Sequence, residues 1–164
     1  MSLISYVTKI HFADNVLEDA LEAELEMLGI DRPLIVSDDG AVRRGVVDRL
    51  LAAIPRPVRP TLFPGPACRV TEDDCERGAR VFADTAADGL IAFGGAAAMN
   101  LAKAAALAAS HRGPLRQYAG REGGGQRIRD AAPPIIAVPT IAGSCSETAG
   151  VAVLSMRAGS SASF

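Results

Sequence analysis

Short apolar runs alternate along the chain with segments in which apolar residues recur at helical spacing. The short runs predict strands, at residues 4–12, 33–37, 61–63, 89–93 and 134–139, and the runs 33–37 and 134–139 predict buried strands. The periodic segments predict helices, at residues 15–28, 42–54, 71–87 with Thr71 as N-cap, and 98–109. This alternation is typical of an α/β fold, here a Rossmann-like, mostly parallel sheet with crossover helices.

The remaining segments predict connections and a change of character near the C-terminus. Residues 113–132 are polar and contain three consecutive glycines, which predicts a surface loop with room for one helical turn. Residues 140–147 form a loop of small residues, and the apolar run 151–154 follows it. Residues 156–164 show no periodicity and no turn or capping pattern. We therefore predict one α/β domain over residues 1–154 and an atypical tail over residues 155–164.

Composition and charge narrow the class of protein. The 164 residues are 49% hydrophobic, which is enough for one compact domain, and 17 basic residues are balanced by 19 acidic ones. This balance argues against nucleic-acid and membrane-surface partners, which require a basic excess. No apolar stretch approaches the roughly 20 residues of a membrane-spanning helix, and no signal peptide is evident, so we expect a cytoplasmic location. With two histidines and no CxxC pair, we expect no metal ligand set.

The strongest chemical feature is the glycine pair Gly94-Gly95 between a predicted strand and a predicted helix. Glycine allows a sharp turn and a close approach to an oxygen, and the first N–H groups of a helix point at bound anions. Lys103 follows about one turn into the predicted helix, where it can add charge or orient a neighbouring group. The alternative, a plain strand-to-helix turn with a solvated lysine, stays open because a glycine pair is a weak signal.

Two further features follow the ends of other predicted strands. The loop after Pro139 contains Thr140, Ile141 and Ser144, and its N–H and hydroxyl groups can contact a ligand at the carboxyl edge of a parallel sheet. Asp38 ends another strand, where a carboxylate accepts hydrogen bonds from the ribose of NAD and repels the 2′-phosphate of NADP. An ordinary Ser/Thr turn and a turn-forming aspartate remain the respective alternatives.

Together these features resemble the iron-containing, metal-dependent alcohol dehydrogenase family. The family's first motif is GGGSxxDxAK, and residues 94–103 read GGAAAMNLAK. Its second motif is PTTAGTGSE, and residues 139–147 read PTIAGSCSE. The two motifs are specific in combination, and the resemblance extends to about Leu154.

The resemblance implies an NAD(P)-dependent oxidoreductase with two domains. The N-terminal α/β domain binds the coenzyme, with NAD expected over NADP. A helical second domain, which this chain lacks, supplies an aspartate and three histidines for Fe²⁺ or Zn²⁺. The implied substrate is a small alcohol or aldehyde, oxidised or reduced by hydride transfer. No catalytic or metal-binding residue is expected in this chain, and a homodimer is one possible assembly.

The resemblance also implies coenzyme-binding roles for individual residues. They comprise Asp38 at the adenosine ribose, Gly94, Gly95, Ala96 and Ala97 along the pyrophosphate, Asn100 and Lys103 in support of that loop, Thr140 and Ile141 near the adenine or diphosphate, Ser144 in the same loop, and Val153 on the nicotinamide side. Several positions depart from the family pattern, namely Ala96, Ala97, Asn100, Ile141 and Cys145, and Arg69-Val70 stands where Asn-Pro often precedes Thr71 in the family. We expect these departures to weaken coenzyme binding, since one lost hydrogen bond costs about 0.5–1.5 kcal/mol.

The resemblance leaves several identities open. The parent enzyme is an alcohol dehydrogenase, with a maleylacetate reductase or a glycerol dehydrogenase-like protein as alternatives. A non-catalytic nucleotide-binding module is a further alternative, as is a truncated, unstable product in which the run 151–154 lacks its sheet partner.

Codons for residues 159–164, read one base out of frame, can encode Arg-Lys-Leu-Gly-Phe-Ile, the returning arm of a hairpin begun near Val151. We therefore predict a frameshift in the tail. Because no metal ligands are expected in this chain, we also expect no turnover by this chain alone.

Overall fold

The computed structural model describes residues 8–120, 123–129, 131–156 and 161–163. The helices are α1 (Val16–Leu28), α2 (Asp39–Arg43), α3 (Val47–Ala53), α4 (Glu72–Asp84) and α5 (Ala96–Ser110). The strands are β1 (Pro33–Asp38), β2 (Thr61–Gly65), β3 (Gly89–Gly94), β4 (Ile135–Pro139), β5 (Val153–Ser155) and β6 (Ser161–Ser163).

Strands β1 to β4 form a parallel sheet in the order β2-β1-β3-β4. Helical segments connect the parallel strands, as the α/β alternation of the sequence predicted. Strand β2 lies at one edge of the sheet. Proline is tolerated at Pro64 because this strand pairs only with β1. The order brings β1 and β4 to either side of β3, so the ends of these three strands are neighbours.

The two central strands are buried on both faces of the sheet. Because side chains alternate along a strand, one set faces α4 and α5 and includes Leu34, Val36, Leu90 and Ala92. The other set faces α1 and α3 and includes Ile35, Ile91 and Phe93. Burial on both faces explains why these strands appear in the sequence as continuous apolar runs.

The helices differ from the predictions mainly at their ends. Helix α1 ends at Leu28 with Gly29 at φ 66°, and α4 has Thr71 as its N-cap, both as predicted. The single helix predicted over residues 42–54 is wrong, because Gly45 at φ 70° separates α2 from α3. Helix α5 begins at Ala96, two residues before the predicted start, and α4 ends at Asp84, three residues before the predicted end.

Two predicted strands and one predicted loop also need correction. Of the strand predicted over residues 4–12, residues 4–7 lie outside the described part, and residues 8–12 form no strand. Strand β4 is half-buried rather than buried, because it is the sheet edge opposite β2. The loop predicted over residues 113–132 contains a helical turn, as expected, at Leu115–Tyr118, but the terminal side chains of this turn are buried in the core rather than at the surface.

Strands β5 and β6 pair antiparallel in a separate two-stranded sheet. Leu154 of β5 is buried in the core on the α4–α5 side, and the Ser155 N–H donates to the Val70 carbonyl at 2.8 Å. The expectation that the run 151–154 lacks a sheet partner is therefore wrong. Across the described ranges, no helix combines the length and apolar character that crossing a membrane requires.

Candidate dinucleotide-binding site

Three predicted site segments meet at the carboxyl edge of the parallel sheet. Asp38, Gly94 and Pro139 are the last residues of β1, β3 and β4. Gly94 is paired in register with Pro139, and the Thr140 N–H donates to the Gly94 carbonyl at 3.0 Å. The glycine pair and the loop after β4 therefore lie at one edge of the sheet, as the sequence predicted.

Side chains from both neighbouring strands crowd the glycine pair. Gly94 has φ 149°, and a Cβ placed on it would stand 3.0 Å from the Ala98 Cβ and 3.4 Å from Asp38 Oδ2. A Cβ on Gly95 would stand 3.3 Å from Ile141 Cδ1. Asp38 and Ile141 thus flank the glycines from opposite sides, and only glycine at 94 fits the backbone without strain.

The first turn of α5 has neither a side-chain cap nor an acidic residue of its own. Gly95 is the N-cap and supplies no side-chain hydrogen bond, and the first turn contains no acidic residue. The N–H groups at such a helix start carry partial positive charge, which favours an anion. Ala97, where the family has serine, packs its methyl group into the core, while Ala96 is half-buried.

Lys103 fastens the loop after β4 to α5. Its ammonium group donates hydrogen bonds to three backbone carbonyls, those of Ser146, Ala149 at 2.6 Å and Val151 at 3.0 Å. Burial lowers the pKa of Lys103, and the nearby Glu147 carboxylate opposes this effect. Because α5 begins at Ala96, Lys103 lies about two turns into the helix rather than one. Its three protons are directed to the protein, which fits a supporting role.

Thr140 and Lys103 contact the same connection, one at each end. Thr140 joins it to β3 through Gly94, and Lys103 joins it to α5. The two predicted cradles therefore lie on the same side of the sheet edge. Within this connection Ser144 is exposed, and its Oγ accepts a hydrogen bond from the Ser146 N–H at 3.3 Å. Cys145 has φ 53°, a conformation that suits the glycine of the family motif better than a cysteine.

Asn100 and Val153, predicted for the same site, are in direct contact. The Val153 N–H donates to Asn100 Oδ1 at 3.2 Å, which ties β5 to α5. Both residues line a cleft of about 440 Å³ together with Cys68, Arg69 and Ser155. The sequence analysis did not assign these last three residues to the site, because only folding brings the segment before α4 beside β5. The only signal was Arg69-Val70 in place of the family's Asn-Pro before Thr71.

The side chains that bind metals in proteins are dispersed in this chain. No group of three or more His, Cys, Asp or Glu residues within the described ranges is placed to hold a metal ion. Cys68, Cys75 and Cys145 are all free thiols. Burial raises the pKa of the Cys75 thiol, and neighbouring acidic residues add to that effect.

A mostly parallel four-stranded sheet with crossover helices places this chain in the Rossmann-like class of α/β domains. Within that class, the sequence model described as "Iron-containing alcohol dehydrogenase" matches residues 7–163. This chain belongs to the iron-containing alcohol dehydrogenase family.

Similar proteins are known by sequence and by structure. A 4-hydroxybutyrate dehydrogenase of Cupriavidus necator is 38% identical over 164 residues, which is 100% of this chain and 42% of that protein. A 1,3-propanediol dehydrogenase of Klebsiella pneumoniae is 32% identical over 79% of this chain and 33% of that protein. The crystal structure of a sulfoacetaldehyde reductase from Bifidobacterium kashiwanohense in complex with NAD⁺ has a TM-score of 0.82 and 26% identity, covering 100% of this chain and 43% of that one. This chain thus spans less than half the length of each.

Proposed function

We propose that this chain forms the NAD-binding part of a metal-dependent alcohol dehydrogenase. The observation that carries the proposal is the uncapped start of α5, flanked by Asp38 on one side and Thr140 on the other. A dinucleotide has a diphosphate, which suits the start of α5, and a ribose, which suits the Asp38 carboxylate. The NAD⁺ complex of the structurally similar sulfoacetaldehyde reductase supports the same ligand.

Each residue at the edge then has a defined task. The pyrophosphate lies along the backbone of Gly94, Gly95, Ala96 and Ala97, and Asp38 accepts hydrogen bonds from the adenosine ribose. Thr140, Ile141 and Ser144 border the adenine and the diphosphate. Asn100 and Lys103 position the segments that border the coenzyme, through the bonds to Val153 and to the loop carbonyls. Val153 borders the nicotinamide.

The chemistry of the whole protein extends beyond these residues. Bound NAD⁺ supplies a hydride acceptor, and its reduced form supplies a hydride donor for a small alcohol or aldehyde. Fe²⁺ or Zn²⁺ ligands are proposed to lie in a helical domain outside this chain. A cytoplasmic location is supported by the three free thiols. A homodimer is the proposed assembly. No observation in the described residues favours the maleylacetate reductase, the glycerol dehydrogenase-like protein or the non-catalytic module.

The frameshift in residues 159–164 and the domain boundary at residue 154 remain predictions. The family match runs through residue 163, and residues 161–163 already form the returning arm of a hairpin with β5. Neither observation tests the reading frame or the proposed domain boundary at residue 154. The nucleotide sequence around the codons for residues 156–164 tests both, because a frameshift requires an open frame for a helical domain one base out.

Titration calorimetry of this chain with NAD⁺ tests the proposal. We expect saturable binding that is lost in Gly95→Asp, because a carboxylate would occupy the place of the pyrophosphate. Gly125→Asp is the matched control, since a side chain at Gly125 meets nothing within 4 Å and lies in another loop. Absence of NAD⁺ binding by a folded chain, or equal binding by both variants, contradicts the proposal.

A further inference from the structure

Arg44 lies beside Asp38, the residue proposed to bind the adenosine ribose. Arg44 directly follows α2, and its backbone N–H donates to the Gly40 carbonyl at 3.2 Å. A Cβ placed on Gly40 would stand 3.0 Å from Asp38 Oδ1 and 3.1 Å from Arg44 Nη1. The carboxylate and the guanidinium therefore approach the same point above Gly40, so closely that a methyl group there would crowd both.

The two adjacent arginines differ in whether their charge is paired. The Arg43 guanidinium forms an ion pair with Asp39, one helical turn before it. The Arg44 side chain forms no ion pair or hydrogen bond with any residue in the described ranges, and it is exposed. In the neighbouring Asp38 carboxylate, Oδ1 accepts a hydrogen bond from the Ala41 N–H at 2.7 Å. Arg44 is thus a free guanidinium at the edge of the proposed ribose site.

We infer that Arg44 binds the 2′-phosphate of NADP and is a second determinant of coenzyme choice beside Asp38. The inference rests on the proposed function, because it needs the adenosine ribose at Asp38. NADP differs from NAD by a phosphate on the 2′-oxygen of the adenosine ribose. In dinucleotide-binding sites, the carboxylate at the end of a strand lies next to that oxygen. A carboxylate there repels the phosphate, whereas a neighbouring guanidinium donates paired, charge-assisted hydrogen bonds to it. Asp38 alone makes the site selective for NAD, and Arg44 extends it to NADP.

Calorimetric titration of the 164-residue chain with NAD⁺ and with NADP⁺ tests the inference. We expect the wild-type chain to bind both coenzymes, with dissociation constants within about tenfold of each other. Arg44→Ala should weaken NADP⁺ binding by about tenfold and leave NAD⁺ binding within about twofold, because only NADP carries the 2′-phosphate. Arg44→Lys should restore part of the NADP⁺ affinity, since it keeps the charge without the planar fork. Arg43→Ala is the matched control and should change neither affinity.

The outcomes separate this inference from the proposed function. NAD⁺ binding without measurable NADP⁺ binding by the wild-type chain overturns the role of Arg44 alone. The role of Arg44 is also overturned if Arg44→Ala weakens the binding of both coenzymes equally, or if it leaves NADP⁺ binding unchanged. Failure of a folded chain to bind either coenzyme overturns the proposed function and the inference together. Thermal unfolding of each variant verifies that the substitution leaves the fold intact.

Discussion

Helices α4 and α5 contribute to the same hydrophobic core cluster, yet their first turns are built in opposite ways. At α4, Thr71 and Asp74 form a capping box: the Thr71 Oγ1 accepts from the Asp74 N–H, and Asp74 Oδ2 accepts from the Thr71 N–H. Three acidic residues occupy that first turn. At α5, the N-cap is a glycine, and the first turn has neither a side-chain cap nor an acidic residue.

The difference between the two caps indicates which helix start is satisfied by its own side chains and which one is suited to an anion. Side chains at α4 satisfy the free N–H groups and place negative charge at the positive end of the helix, so an added anion would be repelled. At α5 the same N–H groups and partial charge remain available at the edge of the sheet. The capping box stabilises α4, whereas the uncapped start of α5 is the place proposed for the pyrophosphate.

The largest effect is expected from giving α5 a cap of the kind that α4 has. Gly95→Asp should abolish measurable NAD⁺ binding and raise the free energy of unfolding by up to about 1 kcal/mol, because an N-cap carboxylate stabilises a helix. Calorimetry and thermal unfolding measure the two opposite changes. Gly95→Ala introduces the same Cβ near Ile141 without the charge and should retain more of the binding. Undiminished NAD⁺ affinity in Gly95→Asp contradicts a pyrophosphate at this turn.

Removing the lysine that fastens the loop to α5 should have the next largest effect. Lys103→Met leaves three backbone carbonyls without their donor, and the free energy of unfolding should fall by about 2 kcal/mol. Hydrogen exchange should increase in residues 146–151, and NAD⁺ affinity should fall because the loop borders the coenzyme. Lys9→Met, at an exposed ion pair with Glu24, is the control and should cost less than about 1 kcal/mol. Equal losses in the two variants contradict the fastening role.

Breaking the cap of α4 should change stability alone. Thr71→Ala removes the side-chain acceptor of the capping box, and the free energy of unfolding should fall by about 1 kcal/mol. NAD⁺ affinity should stay within about twofold of wild type, since α4 offers no ligand site. Denaturant unfolding and calorimetry measure both quantities. A parallel loss of NAD⁺ affinity would show that the two helix starts are not independent.

The smallest effect concerns acid stability at the same cap. Burial raises the pKa of Asp74, but hydrogen bonds from Thr71 and Arg77 outweigh it and hold the pKa below its ordinary value of 3.8. The ionised carboxylate therefore stabilises the fold fully above that ordinary value, and this contribution is lost as the pH falls through the lowered one. Asp74→Asn should reduce the acid sensitivity of unfolding below about pH 4. An unchanged pH profile contradicts the capping contribution of the carboxylate.

Local patterns predicted the elements that have strong sequence boundaries. Gly29 ended α1 and Thr71 began α4 where predicted, because a left-handed glycine and an N-cap act through neighbouring backbone atoms. The helix predicted across Gly45 was wrong, since apolar periodicity continues through a residue whose backbone conformation ends the helix. Strand β4 was predicted as buried because an apolar run does not indicate whether a strand is central or at an edge.

The sequence by itself determined the α/β fold and the order of three chemical segments at strand ends, because periodicity, glycines and caps act over a few residues. Only the tertiary structure decided what those segments contact. Lys103 binds carbonyls more than 40 residues away, Asn100 binds β5, and Arg44 approaches the same point as Asp38. Such contacts depend on how helices pack against a sheet, and no local pattern of residues specifies that geometry.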